Sequence, residues 1–381
     1  MEFRFDRREI AGAVADVGVL VPIAVALIVK NDLSATAVLL PAGLLYLAAA
    51  AIYRLPVPVQ PLKAFGAIAI AEGLGSDEIA AGALLMGVIF VVLGRTGAID
   101  WAARHLPKPI IRGVQLTVGL LFLKIAFELL ADPPKAFADH ALPVGLALVL
   151  GGGVLALALA LKQRHIALVL VGAGAVAMIL TTGGPDAAGP SAIEAPALSG
   201  EVLLTALTVL VLPQLPLSFA NSCAATADAA RTYFGDHAAP VKPGRLATSL
   251  GTANLLAGTI SGMPVCHGAG GMTAHVSFGA RTAGAPVFMG IVLVGLALGL
   301  GAGLAGMLVG FPLPILAGLL AGAGLLHLGL LGDLEQRFAW GVALTVGLIG
   351  FTTNLTFGLA AGLALWGLRA GAQRVRPALA N

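Results

Sequence analysis

Charge is what this chain has least of. Only 11% of its 381 residues are Asp, Glu, Lys or Arg, while 58% are hydrophobic. A chain of that composition cannot cover a soluble globule with polar surface, so lipid must serve as its solvent. Cysteine is almost missing: Cys223 and Cys266 both fall in apolar segments, which argues against a disulfide framework and a cysteine-rich zinc site. No small-residue cleavage site follows the first apolar segment. The charged start Met1-Glu2-Phe3-Arg4-Phe5-Asp6-Arg7-Arg8 is therefore expected to lead into a retained span, not a signal peptide. No stretch is polar and long enough for a soluble regulatory domain. A net charge of +3 would suggest nucleic acid in a soluble protein, but here the basic residues sit between apolar runs and report orientation.

Apolar runs are what the chain has in excess. They fall near residues 10–29, 34–53, 56–73, 77–94, 109–130, 141–161 and 166–181, then near 201–229, 243–259, 262–279, 286–308, 311–328, 335–351 and 353–370. With about 20 residues needed per spanning helix, this predicts an all-α polytopic membrane protein of 14 segments in two sets of seven. The expected units are a first repeat at 1–183, an external linker at 184–200 and a second repeat at 201–381. An odd number of spans per repeat forces the second copy to sit inverted. Lys and Arg sort accordingly: 18 of 22 fall on the predicted inner side, among them Arg54, Arg95, Lys108, Arg112, Arg231, Lys242, Arg245 and Arg337. Both termini are then expected in the cytoplasm, with the chain in the inner (plasma) membrane. A 12-span alternative that merges the broken segments would scramble this sorting. Residues 98–106, with Trp101, read as an amphipathic helix on the inner surface.

Two proline-punctuated tracts interrupt these runs in register. Val57-Pro58-Val59-Gln60-Pro61-Leu62-Lys63-Ala64 is answered by Met263-Pro264-Val265-Cys266-His267-Gly268-Ala269-Gly270-Gly271, with Pro58 and Pro264 206 residues apart. Pro107-Lys108-Pro109 is answered by Pro312-Leu313-Pro314, 205 residues on. Broken segments at matching places in two halves point to a substrate site near the bilayer midplane. Freed backbone groups at that depth are tolerated only where protein or a water-filled cavity satisfies them. A half-helix is expected to start near Pro61 and another near Gly268, their N-termini and a void meeting at the midplane. Two positive dipole ends, unpaired N–H groups and Lys63 in a first turn form an anion receptor. Its expected substrate contacts are Gln60, Lys63, Ala64, Asn221, Ser222, His267, Gly268, Ala269 and Gly270. Other roles stay open at several positions. Proline also merely kinks membrane helices, Lys63 could snorkel, and His267 could be a packing residue. Asp16 fits a partner for Lys63, a proton site, a cation ligand or a helix-pairing group. Gln214, Ser218 and Asn221 lie at helical spacing, as either a site-lining stripe or interhelical glue.

The same blocks resemble the molybdate transporters of plants and bacteria, which are related to the sulfate permeases. Asp16-Val17-Gly18 through Pro22, the tract from Pro58 to Ala64, Pro107 to Gln115, and Pro213-Gln214-Leu215-Pro216-Leu217 with Asn221-Ser222 carry the likeness. Most specific is Pro264 to Gly271 with Phe278-Gly279-Ala280-Arg281. The resemblance implies a seven-plus-seven inverted repeat, a gate domain moving against a core domain, spans one, three, eight and ten lining the site, and molybdate uptake. Sulfate permeases usually carry a cytosolic C-terminal domain, and since this chain stops soon after Arg376, regulation through such a domain is not expected. The residues themselves reach only "small anion", leaving molybdate, sulfate, tungstate and bicarbonate open. A nucleobase permease would need carboxylates on the site-facing stretches, a channel would not saturate, and an enzyme would need Cys266 and His267 as nucleophile and base. No enzyme activity, metal or cofactor is expected. The expected partners are an oxyanion, the bilayer and a second copy of the chain.

Overall fold

Proline and glycine decide where the helices of this chain start, break and touch. The computed structural model describes residues 3–14, 17–99, 101, 107–161 and 165–378. Asp16 and most of the surface helix expected at 98–106 lie outside them. In chain order the elements are α1 (Arg7–Ala13), α2 (Val17–Val29), α3 (Ala35–Tyr53), β1 (Gln60–Pro61), α4 (Lys63–Glu72), α5 (Ser76–Thr96), α6 (Lys108–Ala131), α7 (Val144–Leu161), α8 (His165–Thr182) and α9 (Gly200–Ala238). There follow α10 (Pro243–Thr259), β2 (Val265–Cys266), α11 (Ala269–Phe278), α12 (Gly284–Gly299), α13 (Gly301–Leu308), α14 (Leu313–Gly329), α15 (Arg337–Thr352) and α16 (Leu355–Ala378). Among the described residues, five helices are long and apolar enough to cross a membrane unaided. A sixth span is possible from α12 and α13, which bend by 92° rather than forming the single run expected at 286–308. Linker residue Gly189 enters that bend, donating to Gly299 O and accepting from Ala302 N, both at 2.9 Å.

The second proline pair opens two helices alike. Pro107 and Pro312 are the N-caps of α6 and α14, and Pro109 and Pro314 occupy their first turns, where a missing N–H costs nothing. The helices then pack in two groups. In one, α5 lies on α10 and α3 on α12; in the other, α6 lies on α14 and α15, with α7 on α14 and α16 on α15.

Glycines at seven-residue spacing bring α5 and α10 into backbone contact. Gly258 meets Ala80 and Leu84, Gly251 meets Gly87 and Val91, and Gly244 meets Gly94, so the two helices run antiparallel. A Cβ on Gly251 would stand 2.7 Å from Val91 N and 2.9 Å from Gly87 O, neither of which can yield without moving a helix. Gly251→Leu should therefore destabilise the protein by about 3 kcal/mol, the upper range for overpacking. Thermal unfolding in detergent micelles checks this; an unchanged midpoint would contradict the packing.

Candidate functional site

Four prolines, Pro56, Pro58, Pro61 and Pro264, deny the third and tenth runs a continuous helix, because each removes a donor and biases the preceding residue to extended backbone. The extended pieces find each other. Gln60 lies opposite Cys266 and Pro61 opposite Val265 in an antiparallel ladder, continued by Leu62 N donating to Pro264 O at 3.1 Å. This adds a two-residue ladder to an otherwise helical chain, and it moves the first half-helix start from Pro61 to Lys63 because Pro61 is spent in the strand. The offset between Gln60 and Cys266 is 206, the same as between Pro58 and Pro264. An antiparallel backbone pair at that offset has a local two-fold axis.

Carbonyls and amides exposed by the break are claimed by side chains. Asn254 behaves as a third strand: its Nδ2 donates to Val265 O at 2.9 Å and its Oδ1 accepts from Val265 N at 2.7 Å. His267 Nδ1 donates to Pro58 O at 2.9 Å, so its Nε2, 2.9 Å from Ser249 Oγ, is the acceptor. His275 Nδ1 takes Pro56 O at 3.1 Å, and Tyr53 Oη lies 2.6 Å from Ser249 Oγ. For His267 the sequence leaves both a ligand contact and a packing role open. Protein engages both ring nitrogens, and the residue braces the ladder. Cys266 Sγ donates to Pro61 O at 3.7 Å, so Cys266 and His267 are not arranged as nucleophile and base. The tract's donors and acceptors could be read from sequence; their partners Asn254, Ser249 and His275 could not, since a lone polar residue in an apolar run does not say what it faces.

The helices that leave the ladder begin without side-chain caps. Leu62 caps α4 and Gly268 caps α11, and neither residue offers a side-chain acceptor for an N–H. The third amide of α4 is satisfied from α9: Phe65 N donates to Gln214 Oε1 at 3.0 Å, and Gln214 Nε2 donates to Ser218 Oγ at 3.0 Å. The N–H groups of Lys63, Ala64, Ala269 and Gly270 take no partner among the described residues. A Cβ on Gly268 would fall 2.3 Å from Gln60 Oε1 and 3.4 Å from Asn221 Nδ2, so these three residues converge. Gly270 is exposed with open space around it; Lys63, Ala269 and Asn221 are half-buried, while Ala64 and Ser222 are buried.

The stripe at helical spacing on α9 is divided. Residues Ala206–Val211 and Ser218–Ala225 wind as π-helix, a form that recurs at functional sites. Pro213 and Pro216 cannot donate to the preceding turn, which permits the wider winding. Gln214 and Ser218 consequently serve α4, and Asn221 serves Gly268. Lys63 forms no ion pair among the described residues and lies near enough to act electrostatically on His327 of α14. His327, whose Nδ1 lies 2.9 Å from Ala323 O, escaped sequence reasoning although an ionisable group within a span is a default signal. Lys63 thus stands where α4 meets the group containing α6 and α14. Among the described residues no three His, Cys, Asp or Glu side chains form a metal site.

Gln214→Glu would keep the acceptor for Phe65 N while placing a negative charge beside the open amides. Uptake of an anion should fall on the order of tenfold with membrane expression unchanged; equal uptake by both forms would remove Gln214 from the site.

Apolar helices packed around a break of this kind define a multi-pass membrane transporter. The fold matches the transmembrane domain of a cyanobacterial bicarbonate transporter, BicA, with a TM-score of 0.66 at 16% identity, over 96% of this chain and 98% of that one. The chain belongs to the molybdate transporter family: residues 8–122 and 206–326 match the family described as molybdate transporter of MFS superfamily. It is 27% identical to Molybdate transporter 1 of Arabidopsis thaliana, over 96% of this chain and 88% of the relative. It is 28% identical to Molybdate transporter 2 of the same plant, over 92% and 85%.

Proposed function

We propose that this protein is a secondary active transporter that imports molybdate by alternating access. The observation that carries the reading is the ladder, from which two uncapped helix N-termini emerge with Lys63 in one first turn. Open amides and a fixed charge suit a tetrahedral dianion, which offers acceptors in every direction and no donors. The amides of Lys63, Ala64, Ala269 and Gly270, the Lys63 ammonium and the side chains of Gln60 and Asn221 would hold it, with Ser222 lining the helix behind. Gln214 and Ser218 fix α4, and Asp16 is retained as partner or proton site. Family membership selects molybdate over sulfate.

The 14-segment inverted repeat, 1–183 against 201–381, forms part of this proposal. Exchange of the two halves turns the α5–α10 contact into the α12–α3 contact and the α6–α15 contact into the α14–α7 contact, and each of these pairs is present. The two-fold ladder supports the same relation. We assign α3, α5, α10 and α12 to a core that carries the site and α6, α7, α14, α15 and α16 to a gate. The distribution of Lys and Arg supports a cytoplasmic position for both termini. Radiolabelled molybdate uptake into proteoliposomes, with sulfate as competitor and with and without a proton gradient, tests the reading. Saturable uptake that excess sulfate fails to abolish is expected; indifference to molybdate would overturn it.

A further inference from the structure

Four cations line one groove on the flank of the core, and none has an acidic partner among the described residues. The groove, about 1030 Å³, does not lie at the ladder but between α3 and α10, with Arg95 of α5, Arg231 of α9, and Lys242 and Arg245 at the start of α10 in its wall. All four are exposed, none forms an ion pair among the described residues, and no Asp or Glu lines the space. Lys242 is an uncapped N-cap followed by Pro243, so the first amides of α10 add the positive end of a 17-residue helix.

Beyond the cations the wall turns apolar. Leu44, Ala48 and Ile52 of α3 face Leu256 of α10, and Leu44, Ile52 and Leu256 are 38%, 40% and 36% exposed. Arg245 and Leu256 are eleven residues apart on one helix, about 16 Å at the helical rise. That is about half of the ~30 Å hydrocarbon thickness, the depth of a single leaflet. No residue of α6, α7, α14, α15 or α16 contributes to the lining, so the groove is separate from the region between core and gate where Lys63 stands. Its basic end lies on the side to which Lys and Arg assign the cytoplasm.

We propose that this groove holds one anionic glycerophospholipid of the inner leaflet. Its phosphate sits among Arg95, Arg231, Lys242 and Arg245, and one acyl chain lies along Leu44, Ile52 and Leu256. Charge complementarity selects the headgroup, and the apolar extension selects a lipid over a free anion. Ser249 lines the same groove and bonds His267 at 2.9 Å, so the lipid touches the brace that holds the ladder.

Native mass spectrometry of the full chain in nonionic micelles, given equimolar phosphatidylglycerol and phosphatidylcholine, tests this. Phosphatidylglycerol should be retained preferentially, by tenfold or more. Each cation near a membrane surface is worth about fivefold in affinity for an anionic lipid, so Arg95→Gln/Lys242→Gln should lose about 25-fold. Ala48→Trp, which leaves the charges in place and fills the apolar wall, should also lose phosphatidylglycerol; it decides the matter should the double variant not stay monodisperse. Equal retention of the two lipids by the native chain, or undiminished retention in Ala48→Trp, overturns the proposal. Displacement of phosphatidylglycerol by an equal concentration of inorganic phosphate also overturns it, because the groove would then take free anions. None of these outcomes depends on molybdate transport.

Discussion

Lys63→Ala should lower molybdate uptake on the order of a hundredfold while leaving the protein in the membrane at its normal level. The reason is position. Lys63 is the first residue of α4, beside two open amides, half-buried, and without an ion pair among the described residues. A charge-assisted hydrogen bond to a dianion there is worth about 3 kcal/mol, and each 1.4 kcal/mol is tenfold. The alternative, in which the side chain snorkels to an interface, predicts a change of less than about twofold. Lys63→Arg separates charge from geometry: uptake should be partly kept, since the charge survives but the planar fork does not fit the same first turn. Measured initial rates, corrected for surface expression, decide between the two.

Gly268→Val should reduce uptake by a comparable factor for a steric reason. Any Cβ at that position lies 2.3 Å from Gln60 Oε1, so Gln60 must leave the place it holds beside Asn221. Valine also covers the first amides of α11, which a ligand must approach closely. The prediction has an internal control. Gln60→Ala removes the colliding atom, so Gly268→Val added to Gln60→Ala should cost less than Gly268→Val added to the native chain, the remaining loss coming from the covered amides. Additive losses in that cycle would mean the two residues do not share a site.

Much of this was legible in the residues. The proline tracts locate both breaks because proline's missing donor acts locally, and their equal spacing is the sequence support for the proposed pair of related halves. Lys63, Gln60 and Gly268 stand out for the same reason: unusual residues in apolar runs at places where the helix must fail. Three things were not legible. The short ladder depends on pairing across 206 residues, which no local pattern encodes. The π-winding of α9 shifts the phase of its polar residues, so a stripe drawn at 3.6 residues per turn joined Asn221 to residues that serve another helix. The third concerns His267, whose sequence position beside Gly268 suggests a ligand contact, while its ring turns away to Pro58 and Ser249. Direction of a side chain is a tertiary fact.

The central claim is that molybdate is held where the two half-helices begin. Anomalous diffraction at the molybdenum absorption edge, from crystals of the protein grown with molybdate, measures this directly. A single strong peak is predicted, placed so that the oxygens around it lie within hydrogen-bonding reach of the amides of Lys63 and Gly270. A peak confined to the groove of Arg95, Lys242 and Arg245, with no density at the ladder, would contradict it.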